Sequence, residues 1–154
     1  MSTNISTEQI KELRERTGIS IAQCKQALED AGGDMDKALS FLREKGAEIA
    51  EKKSSRELKA GVVSSYIHNN GSIGALLQIH SETDFVAKNP EFKNLADDIV
   101  MHLAAMGPET VEELLAQPFI KDPSLTIDDL IKTFIQKFGE RIEIANFARL
   151  SLAN

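Results

Sequence analysis

The sequence predicts an α+β protein: a three-helix bundle at the N-terminus, then a three-stranded antiparallel sheet with helices packed on one face. Three observations carry that expectation. Capping residues and glycines cut residues 1–46 into three short helical pieces. A charge-dense stretch over residues 47–60 follows, and beyond Gly61 the hydrophobic period changes from helical to alternating. Asn69-Asn70-Gly71-Ser72 then separates two β-rich runs as a hairpin turn does. With 154 residues, 42% hydrophobic and 27% charged, the chain has globular composition and enough length to bury a core without staples.

Each helix of the bundle has local grounds. Ser6 and Gln9 form a capping box with Ile5 and Ile10 as its staple, and Thr17-Gly18 stops the first helix. Ser20 caps the second, whose apolar stripe is Ile21, Cys24, Ala27, Leu28 and Ala31, and Gly32-Gly33 ends it. Asp34 opens the third, with Met35, Ala38, Leu39 and Leu42 inward and Gly46 closing it. Residues 47–60 have no wide apolar face, so they read as a charged, solvated linker.

Residues 61–154 read as one core module. Residues 62–68 and 73–80 are predicted strands. Asn89-Pro90 begins a long helix with Phe92, Leu95, Ala96, Ile99, Leu103 and Met106 along one stripe, broken by Gly107-Pro108. A short helix over 111–116 precedes a loop over 118–123, and Thr126 caps a helix that Gly139 ends. Residues 142–152 form the last strand, where Phe147 out of phase with Ile142 and Ile144 predicts a bulge. Alternation assigns Val63, Ile67, Ala75, Leu77 and Ile79 to one face of the sheet, and Val62, Tyr66 and Leu76 to the other. These helices cover one face only. The second apolar face predicts a homodimer through paired sheets.

Composition excludes several classes. Cys24 is the only cysteine, which rules out a disulfide framework and a multi-thiolate zinc site and fits a reducing, cytoplasmic setting. No apolar run reaches membrane-spanning length, and MSTNISTEQI lacks the plan of a secretory signal. A net charge of −6 argues against nucleic acid as partner, because binding phosphates needs a surplus of Lys and Arg. His68, His80 and His102 lie in separate elements without metal-ligand spacing, so surface or edge positions are expected and no metal or cofactor. Cys24 sits on a buried stripe as a small core residue. No phosphate loop, dinucleotide fingerprint or nucleophile elbow is present, and nothing assembles an acid, a base and a nucleophile. The chain is not expected to be an enzyme.

The segment His80-Ser81-Glu82-Thr83-Asp84-Phe85-Val86-Ala87-Lys88-Asn89 joins the second strand to the long helix. Spacing alone favours Thr83 or Asp84 capping a short turn while Phe85 and Val86 plug the core. The other arrangement holds Phe85 at a tip beside a carboxylate, suited to insertion into a partner.

LRERTGISIAQCKQAL (13–28) and SETDFVAKN (81–89) resemble the two signatures of the bacterial elongation factor Ts family. The order of elements is similar too: ubiquitin-associated-like helices over 1–46, linker, hairpin, TDFV, long helix, a helix ending in FGERIEI, and a last strand. Gln78, His80 and Ala145-Asn146 depart from the family's usual Glu, Asn and Arg-Arg. The resemblance implies a guanine nucleotide exchange factor for the translational GTPase elongation factor Tu. It implies that Thr83, Asp84, Phe85 and Val86 disturb the GTPase's magnesium and phosphate site and so release GDP. It implies that Arg14, Ile21 and Lys25 dock on the GTPase. The competing reading is an adaptor that binds ubiquitin-like or other proteins through the bundle and dimerises through the sheet. Phe85 discriminates them, because only an exchange factor needs it.

Overall fold

The computed structural model describes residues 4–153. It divides into a helical unit, residues 1–54 with 132–139, and a sheet unit, residues 55–131 with 140–154.

The helical unit is built on α1 (Thr7–Thr17), α2 (Ile21–Asp30) and α3 (Met35–Lys52). Ser6 and Gln9 close the expected capping box, and Gly18 at φ +70° ends α1 in a left-handed turn that other residues adopt only with strain. Ser20 and Asp34 cap α2 and α3. Leu13, Ile19, Cys24, Leu28, Ala38 and Leu42 make the core, with Ile5 and Ile10 packed against it. Two expectations fail here. Ile21 leaves the α2 stripe and is 54% exposed at the first position of the helix. Gly46 does not stop α3, which continues to Lys52 and takes in residues 47–52 of the expected linker. Its lack of a side chain serves packing instead: a Cβ there would stand 3.0 Å from Gln136 Oε1. Gln136 also donates to Gln23 Oε1 at 2.7 Å, so residues 132–139 complete this unit.

The sheet unit carries β1 (Ala60–Ile67), β2 (Ile73–Ser81) and β5 (Glu143–Ser151) in the antiparallel order β1-β2-β5. Between β2 and β5 lie α4 (Asp84–Ala87), α5 (Pro90–Met106), α6 (Val111–Ala116), β3 (Pro118–Phe119) and β4 (Asp122–Thr126). Helix α7 (Ile127–Phe138), which Thr126 caps, begins here and ends in the helical unit. The stretch expected as a loop thus contains a small β3–β4 hairpin. The bulge is present, with the register shifting opposite Gln78 and Ile79 so that Phe147 faces Leu77 and Ile144 faces Ile79.

Register corrects the assignment of faces. Val62 pairs with Ile79, Ser64 with Leu77 and Tyr66 with Ala75, and these line the face covered by α5. Val63, Ile67 and Leu76 lie on the opposite face with Leu150, and Val63 is 69% and Leu150 79% exposed. Each strand alternates as expected. The relative phase of β1 and β2, however, is set by the hairpin turn, and one residue of offset exchanges the faces. On the covered side Phe92, Leu95, Ile99 and Leu103 of α5 are buried with Leu77 and Ile79 as the core, while Met106 at the helix end is exposed.

Candidate functional site

The Thr83–Val86 segment forms a single helical turn whose anchoring is unusually complete. Thr83 is the N-cap of α4, its hydroxyl accepting from the Val86 N–H at 3.4 Å. Its carbonyl accepts from the Ala87 N–H at 3.2 Å and from the Ser81 hydroxyl at 3.0 Å. The Glu140 carboxylate takes the remaining donors: Oε1 accepts from the Thr83 N–H at 3.0 Å and Oε2 from the Thr83 hydroxyl at 2.7 Å. Every polar atom of Thr83 is therefore engaged. Val86 and Ala87 are buried beneath the turn. With about 100° between successive helical residues, burying those two turns Phe85 outward. Phe85 is 84% exposed, with Asp84 exposed beside it.

This separates a pair of residues that spacing had put together. Val86 plugs the core as expected; Phe85 does not. Around the turn, Glu82 pairs with Arg56 at 3.8 Å. Arg141 donates to the Arg56 carbonyl at 2.6 Å and pairs with Glu143. Glu140 and Arg141 escape a sequence reading because their partners stand 57 and 85 positions away. The departing Gln78 and His80 lie within 2.8 Å of each other on the open sheet face, and Ala145-Asn146 form the exposed bulge.

In the helical unit, Arg14, Ile21 and Lys25 are all exposed. Ile21 and Lys25 are four residues apart on α2 and so share a face. Lys25 has a long ion pair with Glu29, 3.9 Å, of the kind that contributes little when solvated. An apolar side chain flanked by a cation suits a protein partner. Cys24, one position away, is buried as expected, and burial pushes its thiol pKa up from 9.0.

The expectation of surface histidines fails for His102, which α5 buries completely. Burial needs both ring nitrogens satisfied. The Ile120 N–H donates to Nδ1 at 3.1 Å, which leaves Nε2 to carry the proton and donate to Gln117 Oε1 at 3.0 Å. Burial pushes its pKa below 6.5, opposed in part by the bond to Gln117. This is a structural histidine, holding the chain between α6 and the β3–β4 hairpin. An open cleft of about 400 Å³ near the hairpin turn is lined by Ile73, Met101, Ala104 and Ile120. Its polar atoms include the Tyr66 hydroxyl and His68 Nδ1, 3.3 Å apart, which do not make a catalytic constellation. Among the described residues no group of three or more His, Cys, Asp or Glu is placed to hold a metal ion. No helix there is long and apolar enough to cross a membrane.

The chain thus joins a helical module that exposes Arg14, Ile21 and Lys25 to a sheet module that displays an aromatic side chain on an anchored turn. Comparison with known proteins gives it a family. A model described as a UBA-like domain matches residues 6–49, and one described as Elongation factor TS matches residues 82–154. Elongation factor Ts of Desulforamulus reducens is 40% identical over 193 residues, covering 96% of this chain and 89% of the relative. That of Carboxydothermus hydrogenoformans gives the same figures, and that of Thermodesulfovibrio yellowstonii is 38% identical with 96% of each covered. The chain belongs to the elongation factor Ts family, and with it to the translation elongation factors. The aligned span exceeds the 154 residues of the chain, so these relatives carry residues within it that this chain lacks.

Proposed function

We propose that this chain is a guanine nucleotide exchange factor for elongation factor Tu, acting in the cytoplasm and promoting GDP release during translation elongation. The observation that carries the reading is Phe85, a large apolar side chain left in water on a turn anchored through Thr83, Val86 and Ala87. A Phe left in water contributes little to the fold, whereas aromatic side chains are enriched in the buried cores of protein interfaces, so a partner's pocket gives it a use. In the proposed complex Phe85 wedges between side chains of the GTPase and Asp84 enters as an acceptor near the magnesium ion held by the GTPase. Weakening that ion leaves phosphate charge held less well, and GDP departs. Linkage requires the converse: a protein that binds the nucleotide-free GTPase more tightly weakens nucleotide binding by the same factor. Arg14, Ile21 and Lys25 supply the second contact. The chain itself needs no cofactor.

The open sheet face supports a homodimer within this reading. Val63, Ile67, Leu76 and Leu150 form an apolar patch on three adjacent strands, and two copies burying about 800 Å² each would make a specific contact. The competing adaptor reading rests on the UBA-like helices alone and leaves Phe85 without a role.

The test is release of fluorescently labelled GDP from purified elongation factor Tu. Substoichiometric amounts of this protein should speed release over many turnovers. No acceleration, or one-to-one trapping, would reject exchange and leave the adaptor.

A further inference from the structure

We propose that Glu140 is the positioning residue of the exchange tip: its carboxylate, reaching across from the chain after α7, holds Thr83 so that Phe85 is presented ready-made to the GTPase. The inference rests on the exchange reading for its consequence, but the clamp itself stands on geometry. Both carboxylate oxygens are committed to one residue, at 3.0 and 2.7 Å, and that residue is the cap of the turn carrying Phe85. A four-residue helix cannot hold itself, because forming one turn fixes several residues for a single hydrogen bond. Its two ends are therefore tied from outside, Val86 and Ala87 by burial and Thr83 by Glu140.

The chemistry of the clamp is specific. Oε1 accepts the backbone N–H, which fixes the peptide plane entering the turn. Oε2 accepts the hydroxyl proton, which leaves the Thr83 oxygen lone pairs facing Val86 N–H, the capping bond. Loss of the carboxylate thus loosens the cap as well as the residue before it. A Phe on a loose turn has many conformations to give up on docking, and that ordering is subtracted from its binding free energy. Glu140 touches neither nucleotide nor magnesium in this account; it acts through Phe85.

The experiment combines amide hydrogen exchange with GDP release for five proteins: wild type, Glu140→Ala, Glu140→Gln, Phe85→Ala and the Glu140→Ala/Phe85→Ala double variant. Thr83 amide exchange in Glu140→Ala should speed about tenfold or more, as expected for losing bonds to a charged acceptor. GDP-release efficiency should fall about tenfold, mostly through KM, with an intermediate value for Glu140→Gln, which keeps one acceptor oxygen. On the Phe85→Ala background the Glu140→Ala change should cost nothing further, since both act through one contact. Unchanged Thr83 exchange would overturn the clamp, and additive losses would overturn action through Phe85. If wild type fails to accelerate GDP release, the exchange reading falls, and with it the functional half of this proposal; the hydrogen-exchange arm still judges the clamp.

Discussion

Phe85 and Phe92 stand seven residues apart, in consecutive helices, and have opposite fates. Phe92 is 0% exposed in the first turn of α5, against the covered face of the sheet. Phe85 is 84% exposed in α4. Both helices have good caps and both are firmly placed. The difference teaches that local order and burial are separable: Phe92 is fixed by its own packing, whereas Phe85 is fixed by its neighbours' packing and hydrogen bonds. A side chain of the second kind contributes little to folding and remains available to a partner.

The comparison breaks first on stability. Phe92→Ala should destabilise the protein by about 3–5 kcal/mol, the usual range for a truncated core Phe. Urea denaturation measures it; a loss below about 1 kcal/mol would mean that α5 is not the core this structure places under the sheet.

His102 supplies the next effect, again from the covered side. The folded chain holds the imidazole neutral with pKa below 6.5, while an unfolded chain titrates at the ordinary value. Between those values the unfolded state binds more protons, so stability is fully present above 6.5 and declines as pH falls below it. Denaturation midpoints at about pH 7.5 and about pH 5.5 should differ accordingly, and His102→Leu should flatten the change while costing about 1–3 kcal/mol for the Ile120 N–H left unpaired.

A smaller effect is expected on the open sheet face. Val63→Lys with Leu150→Lys replaces exposed side chains, so each should change monomer stability by no more than about 0.5 kcal/mol. Light scattering at micromolar concentration should show a dimer mass for the parent chain and a monomer mass for the variant. A monomer mass for both would remove the homodimer. Tyr66 lies on the covered face opposite Ala75 and takes no part in this contact.

Much of this arrangement was legible in the residues themselves. Ser6, Ser20, Asp34, Thr83 and Asn89 cap the helices expected of them, and the Asn-Gly turn joins the expected strands. Those signals are local, acting over three or four residues. What was not legible is non-local. Gly46 looks like a helix stop until Gln136 is seen against it. Val62 and Val63 are equivalent until pairing chooses the inner one. His102 looks like a surface residue until Gln117 and Ile120 satisfy both its nitrogens. At the candidate site the capping Thr83 could be read, but the outward turn of Phe85 depends on Val86 and Ala87 finding the core and on Glu140 arriving from a distant part of the chain.

The central claim is that Phe85 serves a partner and not the fold. Phe85→Ala measures it directly, with thermal denaturation and GDP release from elongation factor Tu followed on the same preparation. The variant should show a melting curve shifted by the equivalent of no more than about 0.5 kcal/mol together with loss of most of the exchange activity. A variant that melts much earlier, or one that melts unchanged and still releases GDP at the parent rate, would contradict it.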